Sequence, residues 1–490
     1  MESIPACNEE APDDRRLFPI LSVMAIESAD PATGEVLRRF DPFTDEQVAD
    51  ALKEAQAAYV AWRERSVAER AVPMRALAAL LRERRDRYAL LITTEMGKPI
   101  TQAQAELEKC AAGCDFYAEH AAGFLGPQHV ETTARESYVA FEPLGVVLAV
   151  MPWNFPFWQV VRFAAPALMA GNAAILKHAS NVPQCALAIE EAVRDAGFPR
   201  GLLRTVLVAG GGIEPLIADD RIRAVTLTGS SDTGARIASL AGRALKKVVL
   251  ELGGSDPFIV LDDADLAAAG QIAARARNQN AGQSCIAAKR FLVTGGAADD
   301  FERHFEDAIR ALRVGDPMDP ATDVGPLARQ DLREALERQV RASVGEGARV
   351  VVGGAAREGK GFFFEPTLLA DVTEDMPVLR EETFGPVAAL MRVRDADEAV
   401  EVANRSSYGL GAALWTRDIA RARELARRIE SGSVFVNGMV SSDPRLPFGG
   451  VKGSGYGREL SEFGIREFVN VQTVWIGPAK EPEPARATPE

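Results

Sequence analysis

The stretch NQNAGQSCIAAKR, residues 278–290, carries the side chain best suited to covalent chemistry in this sequence. Cys285 follows Gly282, Gln283 and Ser284, small or amide neighbours, where a structural thiol would be ringed by leucine, valine or phenylalanine. Small neighbours leave sulfur within reach of an electrophilic carbon, and a thiolate there is a nucleophile. If Cys285 begins a helix, the positive end of the helix dipole favours the thiolate further. A cysteine hydrolase also needs a histidine base beside the sulfur. The nearest histidine in sequence, His304, is expected on a different element.

Two further residues have the right type for carbonyl chemistry. Glu251 ends the apolar run KVVLE and is followed by Leu252, Gly253 and Gly254. A desolvated carboxylate has a raised pKa, as a general base acting near neutrality requires, and glycines admit a second backbone or a ligand. In PWNFP, two prolines stiffen the chain around Trp153, Asn154 and Phe155. A fixed Asn154 amide suits a developing oxyanion, and equally suits a helix cap.

A nucleotide cofactor needs a phosphate cradle. The GxGxxG fingerprint is absent, but Gly229, Ser230 and Gly234 lie between an expected strand and helix, where free backbone N–H groups can face phosphate. Lys177 ends the apolar run AAILK, which points it either into a ligand crevice or into solvent.

Positioning these groups requires alternating elements. Thr44-x-x-Gln47 and Ser66-x-x-Glu69 read as capping boxes of two helices, the second running to about Ile92, and a third helix covers about 101–121. GVVLAV, AAILK, RTVLV and IRAVTLT then alternate with helices at about 157–171, 183–196 and 231–244. KVVLEL, FIVLDD, KRFLVT, VAALMRV, GAALWT and SVFVN form a second series. Continuous apolar strands separated by amphipathic helices mean α/β architecture with two doubly wound, Rossmann-like domains. The boundaries expected are 25–121 with 143–253 for cofactor binding and 254–440 for catalysis, with 441–465 returning to the first domain. Residues 122–142 and 466–477 alternate without completing a sheet, and read as a β oligomerisation element. Residues 1–24 read as a disordered extension, with Met24 as an alternative start, and the Pro- and charge-rich 478–490 as a disordered tail.

In this order, PWNFP, LKHAS, TLTGSSDTG, LELGG, GQSC and EETFGP resemble the NAD(P)-dependent aldehyde dehydrogenase superfamily over residues 25–477. PWNFPFWQVVRFAAPALMAGN with LKHASNVPQ is most similar to bacterial succinate-semialdehyde dehydrogenases. The resemblance implies Cys285 as nucleophile, Glu251 as the base for hydrolytic water, and Asn154 with the Cys285 N–H as oxyanion hole. It implies Lys177 on the adenosine ribose, Ser230 on the pyrophosphate, Glu382 on the nicotinamide ribose and Phe384 as a nicotinamide wall. Trp153, Gly229 and Leu252 belong to the same cofactor-binding set. Many NAD-using relatives carry glutamate where Ser180 stands, so the resemblance favours NADP, with NAD possible.

For the substrate, spacing of four puts Trp158 and Arg162 on one helical face leading from Asn154, and an arginine at a tunnel's far end asks for a carboxylate. Ser442 falls on the family's substrate loop. The expectation is succinic semialdehyde oxidised to succinate, or more broadly another aliphatic, aromatic or ω-carboxyl aldehyde. Two departures stand out. Gln279 occupies a position that is arginine in many such enzymes, which leaves Arg445 as a replacement cation, and Ala287 stands where some relatives have a redox-partner cysteine.

Composition excludes other classes. The chain has 56 Lys+Arg against 70 Asp+Glu, a net −14, which argues against a nucleic-acid partner. No apolar run reaches the roughly 20 residues of a membrane span. Five cysteines are too few and too scattered for a disulfide framework, and no histidine spacing fits zinc. A cytoplasmic homodimer or homotetramer without metal is the resulting expectation.

Overall fold

The computed structural model describes residues 26–477, so the expectations for 1–24 and 478–490 lie outside the described residues. After an antiparallel hairpin (Ile26–Ala29 with Val36–Phe40) come four helices: α1 (Asp45–Arg63), α2 (Val67–Glu83), α3 (Arg85–Met96) and α4 (Ile100–Leu125). Both capping boxes form, with Thr44 and Ser66 each accepting from the backbone three residues on. The second helix does not run on to Ile92. It ends at Arg84, whose backbone leaves the helical region, and α3 restarts and closes on the left-handed Gly97.

The first large sheet has six strands in the order Gly455–Tyr456, Lys247–Glu251, Ile222–Thr228, Val146–Met151, Ala173–His178, Leu203–Thr205. All its pairings are parallel except that of Gly455–Tyr456. Strand Val146–Met151 is buried throughout, as a parallel strand covered on both faces must be. Helices α5 (Trp158–Met169), α6 (Pro183–Asp195), α7 (Ile213–Ala218) and α8 (Ser231–Arg243) connect these strands. Gly234 lets α8 lie against Leu252, whose side-chain carbons stand 2.5 Å from where a Cβ would be.

The second large sheet has seven strands. In order these are Arg349–Val352, Thr367–Ala370, Val387–Val393, Ala288–Thr294, Asp256–Val260, Gly411–Trp415 and Ser433–Val436. Helices α9 (Leu266–Asn278) and α10 (Ala298–Arg310) cover it, with Phe258, Phe291, Phe301 and Phe305 in its core. Strand Lys247–Glu251 belongs to the first sheet and Asp256–Val260 to the second. The LGGS link between them therefore carries the chain across the crevice between the sheets, directly after Glu251.

Residues Gln128–His129, Glu136–Pro143 and Val469–Ile476 form a separate three-stranded antiparallel sheet. Its edge strand Val469–Ile476 leaves Val471, Trp475 and Ile476 exposed.

Candidate active site

Cys285 does not begin a helix. It sits in a turn between α9 and strand Ala288–Thr294, so the dipole argument for its ionisation falls away. What holds the turn is unusual backbone and buried cations. Asn280, Ala281 and Gly282 are all left-handed, with φ of 57°, 51° and 72°. Non-glycine residues adopt that region only when their surroundings impose it. Arg277, fully buried, donates to the carbonyls of Gly282, Thr383, Gly385 and Ala288, tying the turn to the EETFGP segment. Lys289, also fully buried, gives its ammonium to the carbonyls of Ser284 (3.0 Å), Cys285 (2.9 Å) and Ala287 (3.3 Å), with Glu382 at 3.5 Å.

The half-buried thiol is pushed up to about 12 by burial, opposed by the charges of Arg162 and Lys289. Asn154 is not a helix cap, since α5 starts at Trp158 after an uncapped Phe157. Its Nδ2 donates to the Gln283 carbonyl at 3.1 Å, which fixes the amide beside the nucleophile turn and leaves its second N–H available. The free N-terminus of α5 is satisfied from elsewhere. Glu106 on α4 accepts from the N–H groups of Phe157 and Trp158 (both 2.9 Å) and forms a buried ion pair with Lys98.

Glu251 is buried, and neither carboxyl oxygen has a hydrogen-bond partner among the described residues. Burial raises its pKa well above the usual carboxylate range, and the nearby Glu459 raises it further while Arg162 opposes. The carboxyl faces Gly449, where a Cβ would stand 2.8 Å from Oε1. Arg162 neighbours both Cys285 and Glu251, and is itself in a buried ion pair with Glu459. Its guanidinium also lies 4.5 Å above the Phe448 ring. The Cys285 thiol and the Glu251 carboxyl therefore both lie near one arginine.

On the cofactor side, Lys177 is mostly buried at the end of its strand, which lowers its pKa, and Ser180 is exposed three residues on. Ser230 caps α8 through Thr233 N–H, just after Gly229. Glu382 accepts from Gly254 N–H at 3.2 Å, and a Cβ on Gly253 would strike its Oε2 at 2.4 Å. Phe384 meets Trp153 edge-on at 5.8 Å. Trp153, Lys177, Gly229 and Ser230 lie at or just after the carboxyl ends of parallel strands of the first sheet, the end at which nucleotides bind in such sheets.

On the opposite side, Cys285 opens into a cavity of about 100 Å³ lined by Trp158, Arg162, Gln279, Ser442 and Lys109. Trp158 Nε1 donates to Ser442 Oγ at 3.2 Å. Arg445 is not among the lining residues. It is exposed and chelates its neighbour Asp443, so it does not replace the cation missing at Gln279. Gln279 also borders a wider cleft of about 720 Å³ between α4, α9 and α10, where His304 lies, away from the sulfur. Glu106, Lys289, Arg277 and Glu459 escaped sequence reasoning. Their one signal was a charge embedded in apolar surroundings.

The aldehyde dehydrogenase family model matches residues 22–474. The chain belongs to the aldehyde dehydrogenase family. Among family members, it is 52% identical to a protein of Synechocystis sp. named probable succinate-semialdehyde dehydrogenase, NADP(+), over 92% of this chain and all of that one. It is 50% identical to succinate-semialdehyde dehydrogenase 1, NADP(+), of Mycobacterium tuberculosis, again over 92% of this chain and all of the relative. The crystal structure of the Streptococcus pyogenes succinic semialdehyde dehydrogenase in complex with NADP+ superposes with a TM-score of 0.90 at 41% identity, covering 92% of this chain and all of that one. No helix among the described residues is long and apolar enough to cross a membrane.

Proposed function

We propose that this aldehyde dehydrogenase oxidises succinic semialdehyde to succinate with NADP+. The observation that carries the reading is the cavity itself: it begins at Cys285 and is lined by cations and by Ser442. The relatives' names point the same way.

The Cys285 thiolate attacks the aldehyde carbon, and the resulting oxyanion is held by the Asn154 amide and the Cys285 N–H. When bound in the crevice, NADP+ supplies the hydride acceptor. Trp153 and Phe384 would wall its nicotinamide, Glu382 would take the adjoining ribose, Ser230 and the Gly229 turn the pyrophosphate, and Lys177 and Ser180 the adenosine ribose and its phosphate. Serine at 180 brings no negative charge against a 2′-phosphate and offers a donor. Loss of hydride from the adduct leaves a thioester on Cys285. Glu251, whose carboxyl oxygens have no hydrogen-bond partner among the described residues, takes a proton from water, whose oxygen attacks the thioester, displaces the thiolate and releases the acid.

Assembly is part of the proposal. The edge strand Val469–Ile476, with Val471 and Trp475 outward, offers backbone and apolar surface to a second copy.

A matrix of NADP+ and NAD+ against succinic semialdehyde, glutaric semialdehyde, butanal and benzaldehyde tests the reading. The expected maximum of kcat/KM is succinic semialdehyde with NADP+; equal rates for butanal would overturn the substrate assignment.

A further inference from the structure

The cavity beside Cys285 contains two cations, and they are not equivalent. Arg162 is already neutralised by Glu459. Lys109, on α4, is not. Its ammonium donates to the Ser442 hydroxyl at 2.6 Å and lies 4.7 Å from the centre of the Trp158 ring, both neutral partners. The two acids in its neighbourhood are committed elsewhere: Glu106 pairs with Lys98, and Asp443 with Arg445. A largely desolvated cation whose nearby counter-charges are taken is a site for an anionic ligand. Ser442 Oγ accepts from both Lys109 and Trp158, which uses its lone pairs and directs its own hydrogen away from them.

We propose that Lys109, with the Ser442 hydroxyl it orients, grips the carboxylate of the substrate, so that this lysine and not Arg162 supplies the uncompensated positive charge of the cavity. The inference rests on the reading of the substrate as an ω-carboxyl aldehyde. It explains how selectivity survives with glutamine at 279. Lys109 lines the same cavity as Gln279, on a helix bound to the α5 N-terminus through Glu106.

The free enzyme should show the titration of this lysine. Burial, then the charge of Arg162 on α5, lower it to about 8, against Cys110 and Glu106 on its own helix and Asp443 on the loop. Only the ammonium form attracts the carboxylate, so KM for succinic semialdehyde should climb above about pH 8.

The test compares Lys109→Met and Lys109→Arg with wild type, reading kcat/KM for succinic semialdehyde over butanal, and thermal unfolding as a control of folding. Expected is a fall in that ratio of about 20-fold or more in Lys109→Met, residing in KM, as loss of a partly buried charge pair implies. Lys109→Arg should recover most of it and move the rise in KM to higher pH. A ratio within about threefold of wild type in Lys109→Met overturns the inference. If Lys109→Met does not fold, a wild-type KM that stays flat from pH 7 to 9.5 overturns it, and a rise abolished by arginine supports it. A wild type without preference for succinic semialdehyde is the separate failure of the substrate reading, and takes this inference with it.

Discussion

Arg162 and Glu459 form an ion pair at 2% and 4% side-chain exposure, beside the Glu251 carboxyl. Burial raises the pKa of both carboxyls, and the charge of Glu459 raises that of Glu251 further. A base with a raised pKa is protonated and idle at low pH, so kcat should climb with pH until Glu251 ionises. Glu459→Gln removes the like charge and releases Arg162 to favour the Glu251 carboxylate. The rising limb of the kcat–pH profile should therefore move to lower pH, by about one unit or more. A limb that stays in place would separate the two carboxyls functionally.

Lys289→Met removes one of the two cations that hold down the thiol's pKa and leaves three buried carbonyls without their donor. The rate of Cys285 alkylation by iodoacetamide at pH 8, followed by peptide mass, should drop about tenfold or more. The melting temperature should also fall, since each unsatisfied buried group costs about 1–3 kcal/mol. Lys289→Gln keeps N–H donors without charge, so its melting temperature should recover more than its alkylation rate.

Ser180→Glu places a carboxylate where a 2′-phosphate is expected. KM for NADP+ should rise about 30-fold while that for NAD+ changes little, as like-charge apposition implies. Steady-state kinetics with the two nucleotides decides this, and a parallel change in both would remove Ser180 from the adenosine ribose.

Glu106→Gln strands the buried Lys98 and weakens the cap of α5. Breaking a buried ion pair on one side costs about 3–5 kcal/mol. Denaturant unfolding should show a loss of that order. A double variant with Lys98→Met should regain part of it.

Much of this architecture was legible because its signals are local. The two capping boxes, the all-apolar strand Val146–Met151, and the small residues around Cys285 are read within a few positions. What was not legible depends on contacts far along the chain. Lys109 meets Ser442 across 333 residues, and no periodicity announces that. Glu106 looks like one more polar residue on a helix until Phe157 and Trp158 dock their N–H groups on it. Whether Cys285 begins a helix could not be read locally: before it Asn280 and Ala281 turn left-handed, a conformation supported by Arg277 and the Gly385 backbone and not preferred by the residues themselves. Arg445 carried the right charge, but Asp443 two positions earlier captures it.

If the sheet edge carries the assembly, Trp475→Asp should dissociate it. Sedimentation velocity should show a smaller species with the secondary structure retained. An unchanged sedimentation coefficient would remove the edge strand from the interface.

The left-handed run at Asn280, Ala281 and Gly282 also has a kinetic meaning. Such a kinked segment persists only while Arg277, Gln283 and the facing Gly385 carbonyl restrain it, at about 1–2 kcal/mol for each non-glycine residue. It is a cocked spring, and it will relax before the two sheets loosen. Mild denaturant should thus silence turnover while circular dichroism still reports an intact protein, so that inactivation precedes unfolding.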